Sequence, residues 1–388
     1  MRGVISRVVL ITEIIAPYRI PVFNALARQS EIDLHVIFLA ETDPTQRQWL
    51  VRKEDIRFSF EVLPSWRQRI YGHNFLLNWK MNAALERLSP DVIICGGYNY
   101  LASWEALHWA RHNSVPFLLW AESTERDFRS GAILLESLKT KFLRECHGFV
   151  VPGKSSSDYV RNYVVPARNV FTAPNAVDID FFFKAAESAR RGTSRNRQQF
   201  NLPDRYFLFV GRLEQEKGIF DLLDAYDRLP VELRSQIGLV FAGDGSARSQ
   251  LEKRAAALNS GSIRIVGFLQ REHLAIFYAL AEVFVFPTHT DPWGLVVNEA
   301  MACGLPVVCS TAAGCAADLV MNWENGILVD AGNVSHLANA LAKLACDAQL
   351  RSAMAHASRA RIQQYSPQAC AAGMANAVLA SVQVQRRA

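Results

Sequence analysis

Two cations five residues apart, Arg212 and Lys217, lie between the glycines of Gly211-Arg-Leu-Glu-Gln-Glu-Lys-Gly218. A guanidinium fork and an ammonium point charge on a short loop suit the clamping of a diphosphate. On its own such a pair is ordinary surface charge, but three further segments give it context. Gly243-Asp244-Gly245 is a turn through which backbone can approach a ligand. Val266-Gly267-Phe268 offers backbone hydrogen bonds and an aromatic face to a base. The stretch Thr290–Glu299 carries two carboxylates, Asp291 and Glu299, around a helix predicted to start near Gly294. The free N–H groups of its first turn, at Gly294, Leu295 and Val296, suit an anion. Glu299 lies between one and two turns in, and helical side chains lean back toward the N-terminus. Carboxylates repel a diphosphate, so their partners are hydroxyls, which donate hydrogen bonds to them. Cations and a helix mouth for phosphate, with carboxylates for hydroxyls, describe a nucleotide-sugar site.

Other chemistries are weaker. Gly243-Asp-Gly-Ser-Ala-Arg248 begins like a dinucleotide fingerprint but has Arg248 where the third glycine belongs, and no P-loop pattern exists. Asp178-Ile-Asp180 resembles a metal-binding pair, but its place near the end of the first domain favours a structural turn. His108 and His112 share a helix face without the glutamate of a zinc protease. The seven cysteines form no CxxC pair, and Cys303, Cys309 and Cys315 are spaced for no zinc module, so they read as small buried hydrophobes in a reducing compartment. Neither a metal nor a cofactor is expected.

The elements that must position these residues follow from the pattern. The chain has 388 residues, half of them hydrophobic and a fifth charged, which accommodates two domains. Short apolar runs such as RVVLITEI, DLHVIFLAE, DVIICGG and VPFLLWAE alternate with helical stretches, and the pattern restarts with RYFLFVG, IGLVFAG, IRIVGF, VFVFP and LPVVCS. The prediction is an α/β protein of two Rossmann-like, doubly wound parallel-sheet domains facing across a cleft, with ligands at the carboxyl ends of the strands. Domains are placed at 1–184 and 201–365, with the Arg-rich run 185–200 as an exposed linker and 366–388 as a terminal helix. Net charge is +5, with no strong basic stripe of the kind nucleic acids need. Glu13 interrupts any N-terminal signal, and the uncharged run between Glu299 and Asp318 is broken by Gly304, Pro306 and Gly314, so a cytoplasmic protein is expected.

At these motifs the chain resembles the retaining glycosyltransferases of family 4, which have the GT-B fold. GRLEQEKG, FAGDG, VGF, the D-x7-E segment running into EAMACGLPVV, and NGILVD occur in the family's order across most of 205–345. The resemblance implies that Arg212 and Lys217 hold the donor diphosphate and that Glu299 binds the ribose. It also implies that Asp291, with the backbone of Gly294 and Leu295, addresses the transferred sugar, and that the terminal helix crosses back onto the first domain. This sequence departs from the family in having Asp291 where a glutamate is usual. Gly314-Cys-Ala-Ala-Asp318 stands for a GGxPE-like turn, and Ala16-Pro-Tyr-Arg-Ile-Pro21 for a Gly-Gly loop. Trp120-Ala121-Glu122 occupies the region where many members carry a histidine.

The first domain should hold the acceptor, a glycan or lipid-linked hydroxyl. The candidates are Tyr18 and Arg19 after the first strand, Gly96-Gly97-Tyr98-Asn99 after DVIIC, and Glu122 with Arg126 after VPFLLW. Trp66, Arg67, Arg69 and Tyr71 fall in a predicted loop where aromatics and cations could touch the inner face of a membrane. The resemblance implies transfer with retention. Without a carboxyl pair to flank the bond, same-face departure and attack is the expected route. The alternatives are a GT-B-like isomerase or hydrolase of nucleotide sugars, and a non-catalytic binding module.

Overall fold

The computed structural model describes residues 5–43, 49–70, 73–125, 133–163, 169–258 and 262–385. They form two compact units, one of residues 1–176 with 367–388 and one of residues 177–366. The first contains β1 (Ser6–Thr12), β2 (Ile32–Phe38), β3 (Ser59–Val62), β4 (Ser65–Ile70), β5 (His73–Asn78), β6 (Val92–Cys95), β7 (Phe117–Trp120), β8 (Gly148–Val151) and β9 (Val170–Thr172). Seven of these build a parallel sheet of order β3-β2-β1-β6-β7-β8-β9. The second unit contains β10 (Tyr206–Val210), β11 (Gly238–Ala242), β12 (Ile263–Ile265), β13 (Val283–Phe286), β14 (Val307–Ser310) and β15 (Gly326–Val329), in the order β12-β11-β10-β13-β14-β15. The second order is that of a Rossmann sheet, and helices cover both faces of each. Buried on both sides, the strands need continuous apolar runs rather than alternation, as in fully buried YFLFV and GLVFA.

The last helix, Pro367–Gln385, belongs to the first unit. Its small residues Cys370, Ala371, Ala375 and Ala377 pack with Val8, Leu10, Phe23 and Trp120. Gly373 permits the close approach, since a Cβ there would stand 2.2 Å from the Thr172 carbonyl oxygen.

Two expectations are corrected. The run 185–200 is not an exposed linker: it lies in helices Ile179–Arg191 and Thr193–Phe200. The first buries Ile179, Phe182, Ala186 and Ala189, and Arg190 donates to the carbonyls of Ala279 at 3.2 Å and Cys303 at 2.6 Å. The arginine that looked like solvated charge thus ties off backbone acceptors within the second unit, and the division between units falls at residue 176, ahead of this helix. Asp178 is the helix N-cap, accepting from Phe181 N at 3.1 Å. The predicted loop at Trp66–Tyr71 is also replaced, because β4 pairs antiparallel with β5 in a hairpin. Arg67 turns inward from it to Glu13 at 3.0 Å and Asp43 at 2.7 Å, so it does not face solvent as a membrane contact would require. Tyr71 lies outside the described residues.

Candidate active site

In the second sheet the strand order reverses between β10 and β13, and the loops after these two strands carry Arg212, Lys217 and Asp291. A single 3-10 turn, Gln215–Lys217, follows β10 and turns Lys217 inward until its side chain is only 7% exposed. Lys217 Nζ donates to Asp291 Oδ2 and to the Thr290 carbonyl, both at 2.9 Å. Backbone joins the same two loops, since the Glu216 carbonyl accepts from His289 N at 2.8 Å and Thr288 Oγ1 at 3.1 Å. The strand-end loops at the topological switch are therefore one stitched structure. Breaking a well-buried ion pair by removing one partner costs about 3–5 kcal/mol; Asp291 keeps 21% of its side-chain surface, which lowers that figure here. Arg212 stands at the rim, 60% exposed and 3.0 Å from Glu216.

A floor of bare backbone adjoins this pair. Gly211 N bonds the Ala242 carbonyl at 3.1 Å, and Gly243 N bonds the Gly267 carbonyl at 2.7 Å, across the ends of β10, β11 and β12. Gly243 has φ +145°, and a Cβ on it would sit 1.8 Å from the Gly211 carbonyl oxygen, so no side chain fits. Glu214 fastens the β10 loop to the next turn by accepting from Ser246 N at 2.9 Å. Partial burial pushes its carboxyl up, but the bonds from Ser246 outweigh this and hold it below the usual range. Asp244 accepts from Gly245 N at 2.9 Å and pairs with Arg248 at 3.2 Å. Arg248 leans on Gly267, so the residue that spoils the dinucleotide fingerprint adds a further cation beside this floor. Val266 N continues the ladder to Phe241, while Phe268 presents a ring 40% exposed, open to stacking.

The helix after β13 spans Leu295–Ala302 with Gly294 as N-cap, which provides no side-chain cap for its first N–H groups. Leu295 and Val296 are partly accessible there. Asp291 Oδ1 accepts from Trp293 N at 3.1 Å, bracing the loop just ahead of the helix. The segment Gly314–Asp318 seats that loop: Gly314 N donates to the Asp291 carbonyl at 2.9 Å and Cys315 N to the Trp293 carbonyl at 3.0 Å. A Cβ on Gly314 would meet the Pro292 carbonyl oxygen at 1.8 Å, which accounts for a glycine here although the rest of the turn differs from the family's. Glu299 Oε2 accepts from the Tyr278 hydroxyl at 2.9 Å. Burial pushes the Glu299 carboxyl up to about 7, and the Tyr278 bond pulls the other way.

In the first unit the sheet order changes direction between β1 and β6. Arg19, just before helix Ile20–Leu26, bonds Glu122 after β7 at 2.6 Å, and its guanidinium lies 4.0 Å from the Trp120 ring centroid. Burial works against its charge, but Glu122 and Tyr18 outweigh that, and the guanidinium is held above its usual value. Tyr18 sets its ring edgewise on Trp49 at 5.7 Å. Gly97, at φ +134°, has open space where a side chain would be. Tyr98 packs on Phe142 with ring centroids 5.9 Å apart, which makes it chiefly a packing residue. Arg126 lies outside the described residues. The structure thus unites Arg19 with Glu122, and Lys217 with Asp291. Tyr278 and Glu214 had been given no role in the sequence analysis: each acts through a partner distant in sequence, and although Glu214 lies within GRLEQEKG, nothing local marks its bond to Ser246.

Residues 190–361 match the family model of the glycosyl transferases group 1, and residues 23–181 match that of glycosyltransferase family 4. The chain is 31% identical to a D-inositol 3-phosphate glycosyltransferase of Xylanimonas cellulosilytica, over 57% of this chain and 54% of that one. It is 27% identical to a glycogen synthase of Mycobacterium tuberculosis, over 77% and 70%. The chain spans about half the length of the inositol-phosphate relative. In fold it is similar to the Anabaena protein HepE, crystallised in complex with UDP-glucose, at a TM-score of 0.74 with 18% identity, covering 97% of this chain and all of that one.

Proposed function

The chain belongs to the group 1 glycosyltransferases of family 4, with two Rossmann-like domains of the GT-B type, and we propose that it moves a hexose from a nucleoside diphosphate sugar to a hydroxyl of a glycan or lipid-linked acceptor, with retention of configuration. The observation that carries this reading is the Lys217–Asp291 pair at the switch of the second sheet, which sets a diphosphate-binding cation beside a hydroxyl-binding carboxylate. Arg212 and Lys217 neutralise the diphosphate, the helix N–H groups at Leu295 and Val296 assist, Glu299 accepts from the ribose, and Asp291 accepts from the sugar. The base lies along Val266–Phe268. The bond from the anomeric carbon to the β-phosphate oxygen breaks, and the acceptor oxygen bonds to that carbon on the same face. The acceptor proton passes to the departing phosphate, so no protein base is required. Catalysis is then positioning and charge stabilisation. Because two side-chain cations supply the charge a divalent ion would, the reading needs no metal or cofactor. Tyr18, Arg19, Gly97 and Glu122 are assigned to the acceptor.

The test is Arg212→Ala and Lys217→Ala. A panel of nucleoside diphosphates in thermal shift identifies the base, and release of that diphosphate from its sugar measures turnover. Each variant is expected to weaken binding and to lose roughly 10²–10³ in turnover, as on removal of a charge-stabilising donor. Near-wild-type kinetics in either would place the diphosphate elsewhere.

A further inference from the structure

The β4–β5 hairpin carries large apolar side chains on its outer face, although only its inner face has a core to cover. Cross-strand partners share a face, and side chains alternate along each strand. Arg67 and Leu76 are paired on the inner face, where Leu76 is buried and Arg67 reaches Glu13 and Asp43. Asn78, on the same face, donates to the Leu39 carbonyl at 2.6 Å. The outer face pairs Trp66 with Leu77 and Gln68 with Phe75, and a bond from Trp79 N to the Pro64 carbonyl at 3.3 Å carries the row to Trp79. Trp66, Phe75, Leu77 and Trp79 are 44%, 47%, 39% and 49% exposed. A half-buried antiparallel ribbon ordinarily turns polar residues outward, and four large apolar side chains on one exposed face need an occupant.

We propose that this face docks on an anionic lipid bilayer surface. Three observations select lipid. Two tryptophans bracket the patch, and tryptophan favours the boundary between headgroups and acyl chains. From Val62 to Leu85 the chain has no acidic residue, and Lys80, exposed and next to Trp79 in sequence, is basic, so this segment brings a cation and no negative charge to an anionic surface. The hairpin is also fastened, through Arg67 and Glu13, to the loop following β1, the same strand-end edge from which Tyr18 and Arg19 arise. Docking would hold those acceptor residues at the membrane, which narrows the acceptor of the proposed reaction to a lipid-linked one. The docking itself is independent of the transfer chemistry, and its test reads binding alone. Among the described residues no helix is long and apolar enough to cross a membrane, so the contact is one of surface insertion.

The experiment is co-sedimentation of the full chain with vesicles of phosphatidylcholine alone and of phosphatidylcholine with phosphatidylglycerol. The wild type is expected to bind the anionic vesicles, less so as salt rises, and the Trp66→Ser/Trp79→Ser variant is expected to bind at least tenfold more weakly. Leu77→Gln provides a milder variant on the same face should the double variant fold poorly, and unchanged far-UV circular dichroism and thermal unfolding verify the fold of each. Absence of wild-type binding, or equal binding by a folded variant, would overturn the proposal. So would light scattering in which the wild type is a dimer that Leu77→Gln dissociates, since the face would then belong to a second copy of the chain.

Discussion

Tyr278→Phe isolates a single hydrogen bond inside the proposed nucleotide site. The hydroxyl it removes lies 2.9 Å from Glu299 Oε2, with Tyr278 fully buried in the second unit's core and Glu299 partly accessible at its edge. Burial has already raised the Glu299 carboxyl to about 7, and the Tyr278 bond is what opposes that rise. A hydrogen bond to a charged group contributes about 1.5–3 kcal/mol, and 1.36 kcal/mol corresponds to one pKa unit. The variant should therefore titrate Glu299 roughly one to two units higher. The sign follows from the ligand: ribose hydroxyls donate to a carboxylate, so the ionised form binds. Wild-type affinity for the nucleoside diphosphate should fall as pH falls through about 7, by up to about tenfold per unit. In Tyr278→Phe the same fall should begin at higher pH, leaving affinity at neutrality reduced by roughly five- to fiftyfold relative to the wild type, whose carboxyl is itself about half protonated there. Calorimetric titration across this pH range measures the midpoint, and Glu299→Gln subtracts the titration of the ligand's own phosphate. Stability runs the other way. A carboxyl raised in the native state contributes fully below its ordinary pKa, and that contribution is lost as pH rises through about 7. A midpoint that does not move in Tyr278→Phe, or a wild-type affinity with the same pH profile as Glu299→Gln, would refute the reasoning.

Two other variants probe the backbone floor and the first unit. Gly243→Ala drives a methyl to 1.8 Å from the Gly211 carbonyl at a positive φ, and chemical denaturation should register a loss of about 2–4 kcal/mol together with weaker nucleoside diphosphate binding. Arg19→Ala and Glu122→Gln, which break a 2.6 Å pair, should reduce transfer by about 10- to 150-fold while diphosphate affinity stays within about twofold. Collapse of affinity in these two would mean that the first unit shares in donor binding.

The two parallel sheets were legible because strands buried on both faces must be continuous apolar runs, and RYFLFVG or DVIICGG admit few other readings. The site loops were legible for a related reason: paired glycines mark where backbone must come close, as Gly243 does against Gly211. Composition misled at 185–200, where four arginines masked a helix whose buried stripe begins earlier, at Ile179 and Phe182. It misled again at the hairpin, since Arg67 and Asn78 look solvated but face inward onto partners far away in the chain. Pairing over long sequence separation was the least legible feature. Nothing local to Lys217 tells that its ammonium is held by a carboxylate 74 residues on.

That pair decides what Asp291 does, and Asp291→Asn separates the possibilities. Aspartate is one methylene shorter than the family's usual glutamate, a loss of about 1.5 Å in reach. The Thr288–Asp291 loop is held against the β10 loop by the bonds from His289 N and Thr288 Oγ1 to Glu216 and from Lys217 to Thr290, which fixes the station from which the shorter side chain must reach. The asparagine can still accept from Trp293 N, so the loop keeps its brace, but Lys217 loses its counter-ion. The Thr290 carbonyl at 2.9 Å and Glu216 at 3.8 Å remain to Lys217, so the stability cost should be about 1–3 kcal/mol rather than that of a fully buried broken pair. With the carboxylate neutralised, the ammonium attracts a diphosphate at least as well as before. Affinity for the bare nucleoside diphosphate should hold or tighten, while kcat/KM for sugar transfer should drop about 10- to 150-fold through the lost bond to the sugar. Transfer at the wild-type rate would reduce Asp291 to a loop anchor. A fall in diphosphate affinity would show instead that the ion pair shapes the phosphate site, with the sugar held by other groups.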